Sequence, residues 1–245
     1  MKRDLYFSKP LMNAAGTLGF APDSRIGISL DSFGAFVTNP ISLRPRPSTP
    51  QPAMIEYPGG FLLHTGLPNS GLSAVIKQQS WRWLRAEIPI IVHLMADRPE
   101  ETSRMVQMLE GIDNVMAAEL GFSPLLTDDI LLLTLEMCLG ELPLIFSLSS
   151  EQVLSLGPRL MQNGASAVSL CSPRGAFTAD DGKLITGRLH GPSLFPRALD
   201  IVHSAAKIGL PIIGAGGVWT DKYAADMLSA GAMAVQMDTS LWVPK

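Results

Sequence analysis

Short apolar runs fall near residues 10–15, 35–39, 89–94, 114–120, 142–148, 167–171, 210–215 and 234–238, and apolar positions at helical spacing fill most of the intervals. Runs of this kind, rich in Val, Ile and Leu, predict strands buried on both faces. Strands alternating with helices predict a parallel sheet with crossover helices, and eight of them predict closure into a (β/α)8 TIM barrel. Residues 1–245 are expected to form one domain, since such barrels commonly run to roughly 250 residues. Pro- and Gly-dense stretches at 40–72 and 172–196 predict long loops over the barrel mouth, where active sites of this fold are built.

Two segments depart from the pattern. The helix expected over Asp128 to Gly140 reads Ile130-Leu-Leu-Leu-Thr-Leu-Glu-Met-Cys-Leu139, with only Thr134 and Glu136 interrupting its apolar surface. An outer helix ordinarily carries one apolar stripe, so Leu131, Leu132, Leu135 or Leu139 would face outward and call for cover by loops or a partner. The sequence also ends at Lys245, shortly after the last strand. That predicts a barrel without its last outer helix and a bare flank on the eighth and first strands, around Leu11, Val235 and Met237, which a second protein would cover.

Composition sharpens this picture. Hydrophobic residues reach 47% and charged residues only 17%, against a typical ~25%. Mean hydropathy is +0.23, which implies a large core or a surface buried against something else. A net charge of −3 without basic runs argues against nucleic acid. No apolar stretch is long enough for a membrane span, and the N-terminus lacks a signal-peptide pattern. Cys138 and Cys171 have no metal or redox spacing, so a reduced, cytoplasmic core location is expected.

Candidate chemistry concentrates at strand ends. In Leu210-Pro-Ile-Ile-Gly-Ala-Gly-Gly-Val-Trp219, Gly216 and Gly217 remove two Cβ atoms where backbone N–H groups could approach a phosphate. The eighth strand, however, ends Met237-Asp238-Thr239, placing a carboxylate where the phosphate would lie. His64, His93 and His190 fall at strand-to-loop junctions on one barrel face, without a recognisable carboxylate partner. They suit polar filling of a pocket better than a metal site. Arg188 could offer a cation to an anionic ligand. The aromatic and basic Trp81-Arg-Trp-Leu-Arg85 fits a helix packed on the barrel with exposed arginines.

The segments Leu11-Met-Asn-Ala-Ala-Gly-Thr-Leu-Gly-Phe20, Phe33-Gly-Ala-Phe-Val-Thr38, Ser42-Leu-Arg-Pro-Arg-Pro47, Glu56-Tyr-Pro-Gly-Gly60, Gly66-Leu-Pro-Asn-Ser-Gly71, His190-Gly-Pro192 and Gly214-Ala-Gly-Gly217 follow in order. Together they resemble the dihydroorotate dehydrogenase family, especially its soluble class. The resemblance implies an FMN flavoprotein barrel acting as an oxidoreductase in pyrimidine biosynthesis. Carried over, it sets Ala15 and Gly16 against the flavin, Thr38 at its ring or tail, and Gly191, Gly216, Gly217 and Thr239 around its phosphate.

The same resemblance exposes losses. Where the family reads Val-Thr-Lys, this chain has Val37-Thr38-Asn39, and asparagine cannot supply a cation. The family's second lysine corresponds to Ser147, and its base loop, with a Cys or Ser proton acceptor, shrinks to Glu119-Leu-Gly-Phe-Ser-Pro124. Its Gly-Gly-Leu-Ser-Gly turn becomes Gly187-Arg-Leu-His-Gly191, and Asp238 stands for a glycine. Asn39 and Ser123 are the weak catalytic candidates that remain, and weak or absent FMN binding is expected. Two readings follow: a catalytically degenerate pseudoenzyme serving as a structural or regulatory subunit of a larger complex, or an FMN oxidoreductase acting on dihydroorotate or an altered substrate.

Overall fold

The strands, in chain order, are β1 (Leu11–Asn13), β2 (Phe33–Val37), β3 (Ala53–Tyr57), β4 (Gly60–His64), β5 (Ile90–Met95) and β6 (Val115–Gly121). They continue with β7 (Leu144–Leu148), β8 (Ala167–Leu170), β9 (Arg174–Thr178), β10 (Leu184–His190), β11 (Ile212–Gly214) and β12 (Ala234–Met237). These come from a computed structural model that describes residues 4–23, 29–51, 53–124, 126–179 and 182–242. Eight of the strands close a barrel in the order β1-β12-β11-β8-β7-β6-β5-β2, with every neighbouring pair parallel. All eight strands expected from the apolar runs are present.

The period of two along each strand divides the core in two. Met12, Ala35, Val37, Ile91, Ala117, Ile145, Ala167, Ile213 and Ala234 point into the barrel, where Leu5 and Phe7 pack against them. Alternate residues such as Phe36, Val92, Leu120, Phe146, Val168 and Val235 point outward beneath the helices. Those helices are α1 (Leu72–Arg85), α2 (Pro99–Leu109), α3 (Asp128–Cys138), α4 (Ser150–Gln162), α5 (Phe195–Lys207) and α6 (Asp221–Ser229). Pro99 opens α2, with Glu100 and Glu101 in its first turn, where the helix dipole favours negative charge. Thr220 caps α6 by accepting from Tyr223 N. On α1, Trp83 is fully buried and its indole N–H donates to Phe20 O at 2.8 Å, while Trp81 stays exposed beneath Arg85.

The stretches expected as loops are instead partly strands. β3, β4, β10 and β9 form an antiparallel sheet over the barrel mouth, in the order β3-β4-β10-β9. β3 and β4 meet through Tyr57-Pro58-Gly59-Gly60, and Gly59 takes a φ of 89° that only glycine adopts readily. Gly60 is equally constrained, because an added Cβ would lie 2.1 Å from His190 O.

Two surface expectations need correction. On α3, Leu131 and Leu135 are buried rather than outward, because they align with Cys138 on the barrel-facing stripe. Leu133, Met137 and Leu139 are the exposed large apolar residues, with Leu132 half-buried beside them. The flank of β12 and β1 is not bare either. Val235 and Met237 are buried, and Tyr223 of α6 and Leu241 pack on the same cluster. After β12 the described residues form a 3-10 turn, Thr239–Trp242, and among the described residues no helix is long and apolar enough to cross a membrane.

Candidate active site

One step above the apolar layer, the inward positions of the barrel turn polar. The same parity that points Ile91, Ala117, Ala167 and Ala234 inward carries His93, Glu119, Ser169 and Gln236 inward two residues later. Glu119 is the hub. Its Oε2 lies 2.7 Å from His93 Nδ1, and its Oε1 accepts from Ser169 Oγ at 2.6 Å and Gln236 Nε2 at 2.7 Å. Burial pushes this carboxyl up, but the hydrogen bond and charge of His93, with the bonds from Ser169 and Gln236, outweigh it and hold the carboxyl below its ordinary value. The carboxylate absent from the sequence-based view of the histidines is therefore Glu119. Its place two residues after Ala117 was the available signal.

A second pair lies at the end of β12. His190 Nδ1 is 3.0 Å from Asp238 Oδ1, which also accepts the Thr239 backbone N–H at 2.8 Å. Burial raises the Asp238 carboxyl, yet His190 and the backbone N–H groups of Thr239 and Gly191 together hold it below its ordinary value. Phe61 is the cross-strand partner of His190, its ring stacked at 5.4 Å, and it reaches on to Trp242. Trp242 donates to Thr17 O at 2.7 Å, closing that wall.

Between these pairs and the antiparallel sheet lies a cavity of about 780 Å³. Ala15, Gly16, Gly216 and Thr239 line it, as do the catalytic candidates Asn39 and Ser123 and three of the four histidines, His64, His93 and His190. Asn39 spends its side-chain oxygen on the Gly19 N–H at 3.1 Å, and His64 meets Thr49. Thr38 is fully buried away from the cavity, its hydroxyl accepting the His93 N–H. Gly191 and Gly217 turn to protein instead. An added Cβ would meet Gly60 Cα at 2.4 Å in the first case and Phe195 N at 2.6 Å in the second. Cys138 is buried, while Cys171 reaches the cavity, and burial raises both thiols, Cys138 to about 12. Among the described residues no group of three His, Cys, Asp or Glu side chains could hold a metal ion.

The family model for dihydroorotate dehydrogenase matches residues 3–124 and 174–244. The chain belongs to the dihydroorotate dehydrogenase family. Relatives include the protein named dihydroorotate dehydrogenase B (NAD(+)), catalytic subunit, of Pelobacter propionicus, 32% identical across 98% of this chain and 86% of that one. The protein of the same name from Geotalea daltonii is 31% identical across 94% and 83%. Among solved structures, the dihydroorotate dehydrogenase of Eimeria tenella in complex with ferulenol superposes with a TM-score of 0.76. That match covers 97% of this chain and 77% of the other at 17% identity, a likeness of fold.

The flavin that this family implies can be tested against the donor set. At the ring end, Ala14, Ala15 and Gly16 leave open space. At the phosphate end the fit fails. The backbone N–H of Thr239 is taken by the Asp238 carboxylate, which the Gly191 N–H also faces, and Gly217 is packed on the start of α5. A buried carboxylate stands where a dianion would need donors.

Proposed function

We propose that this chain is a catalytically degenerate member of the dihydroorotate dehydrogenase family, serving as a structural or regulatory subunit of a larger cytoplasmic complex. Residues 1–245 would then act as one barrel domain carrying the antiparallel sheet as an insertion. The observation that carries this reading is the Asp238 carboxylate. Clamped by His190, it takes the Thr239 N–H, and faces the Gly191 N–H, that a cofactor phosphate would use. The positions of both family lysines hold Asn39 and Ser147, and the described residues around the cavity include no lysine. Asn39 would be a hydrogen-bonding remnant, and among the described residues no base hydrogen-bonds to Ser123 to raise its reactivity. Relatives named as catalytic subunits belong to assemblies by that name, which supports a partner for this chain.

A second reading, an FMN oxidoreductase with a rebuilt site, draws support from one atom. Thr239 Oγ1 is buried on the cavity wall without a hydrogen-bond partner, and such an atom invites a ligand. The absorbance spectrum of the protein purified from its native host separates the two. A flavin-free spectrum together with no dihydroorotate-dependent dye reduction supports the subunit reading. Stoichiometric flavin, with turnover on any dihydroorotate-like substrate, supports the second.

A further inference from the structure

On β10, Thr186, Arg188 and His190 share one face by strand parity, and all three line the cavity. Directly across the antiparallel ladder from Arg188 stands Arg174 of β9, also on the cavity wall. Like charges placed directly opposite on neighbouring strands repel. Among the described residues no carboxylate lies within ion-pair distance of either guanidinium, and Arg188 donates to Ser172 O at 3.4 Å. The carboxylates deeper in the cavity are already committed, Glu119 to His93 and Asp238 to His190. Asp97, also on the wall, is exposed at the end of β5.

We propose that Arg174 and Arg188 form a receptor for the oxyanion group, a carboxylate or a phosphate, of a small ligand whose body fills the cavity beneath them. Two forked guanidiniums side by side suit the oxygens of either group, and a bound anion removes the repulsion that the bare pair carries. The volume of about 780 Å³ falls in the range of small-molecule sites. The walls inward of the arginines include Ala14, Met95, Phe122 and Leu170, which suit a flat, apolar body. This site lies on the β9–β10 wall of the cavity, and it does not depend on whether the chain is catalytic.

The test is calorimetric titration of the full chain with phenyl phosphate and with benzoate, at ionic strength held constant with sodium chloride. Saturable one-to-one binding of at least one probe is expected, with affinity falling about tenfold or more in Arg174→Gln/Arg188→Gln. The unliganded double variant should unfold at the same or a higher temperature, since it sheds repulsion, and this confirms that the loss is not misfolding. Phenyl phosphate binding alone assigns a phosphate, and benzoate binding alone a carboxylate. Binding of neither probe, or equal affinity in the double variant, overturns the proposal.

Discussion

His190 Nδ1 lies 3.0 Å from Asp238 Oδ1, joining the last residue of β10 to the residue just past β12. Both positions depart from the family pattern described above, a serine and a glycine giving way to an imidazole and a carboxylate. The two departures satisfy each other. The backbone N–H groups of Gly191 and Thr239 complete the set, so the barrel supplies its own anion at this point.

It follows that Asp238→Gly together with His190→Ser should raise FMN affinity. A carboxylate facing a phosphate at about 4 Å costs roughly 1–4 kcal/mol per charge pair, depending on local dielectric. Relief of that repulsion corresponds to a gain of about tenfold or more in affinity, read by quenching of flavin fluorescence. Equal, tight binding by the original protein would mean that Asp238 does not obstruct the phosphate.

Dihydroorotate oxidation should be undetectable. Asn39 is tied to the Gly19 N–H, Ser147 supplies no cation, and burial holds the Cys171 thiol protonated. Asn39→Lys alone should leave activity at background, because no proton acceptor is restored. Turnover at about 1 per second or faster, the lower end of ordinary enzyme rates, in dye-coupled assays of either protein would contradict this.

The barrel was legible because its strands are buried on both faces. An uninterrupted run such as Ile90-Ile91-Val92 announces itself, and eight such runs in order leave little choice of topology. The antiparallel sheet was hidden because its strands are short and half-exposed. β9 reads Arg-Gly-Ala-Phe-Thr, a weak pattern that becomes a strand only through pairing with β10. The outward face of α3 differs from the expected one, since a helix apolar on nearly every side gives little phase. In the site, His93 and His190 stood out as residues, but their partners Glu119 and Asp238 lie 26 and 48 positions away in the chain. Only closure of the barrel brings them together.

Acid should destabilise the protein through both carboxylates. Each is held below its ordinary value, 4.5 for Glu119 and 3.8 for Asp238. A depressed carboxyl contributes its full stabilisation above the unfolded value and loses it as pH falls through the folded one. The thermal midpoint should therefore drop steeply as pH is lowered from about 5 toward 2. Asp238→Asn should flatten part of that fall. Glu119→Gln should flatten more of it while lowering stability at neutral pH, because it disturbs the buried hydrogen bonds with His93, Ser169 and Gln236. An unchanged acid profile in both variants, followed by circular dichroism, would assign the effect to other groups.

The partner of the proposed complex should sit on α3. Leu133 and Leu139 are 42% and 50% exposed, and with Leu132, Glu136 and Asn163 they edge a shallow groove of about 320 Å³. A stable interface buries about 800 Å² per side, and apolar area contributes about 25 cal/mol per Å² before the cost of association. Leu132→Glu with Leu139→Glu should leave the fold intact, since neither side chain is fully buried, and yet release the chain from its complex in native-extract size exclusion. Leu135→Ala is the contrasting variant. Leu135 is wholly buried against the barrel, so truncation should cost about 2–5 kcal/mol of stability, seen in denaturant unfolding. If the chain elutes as a monomer from native extract, and the two charged substitutions change nothing, α3 carries no partner.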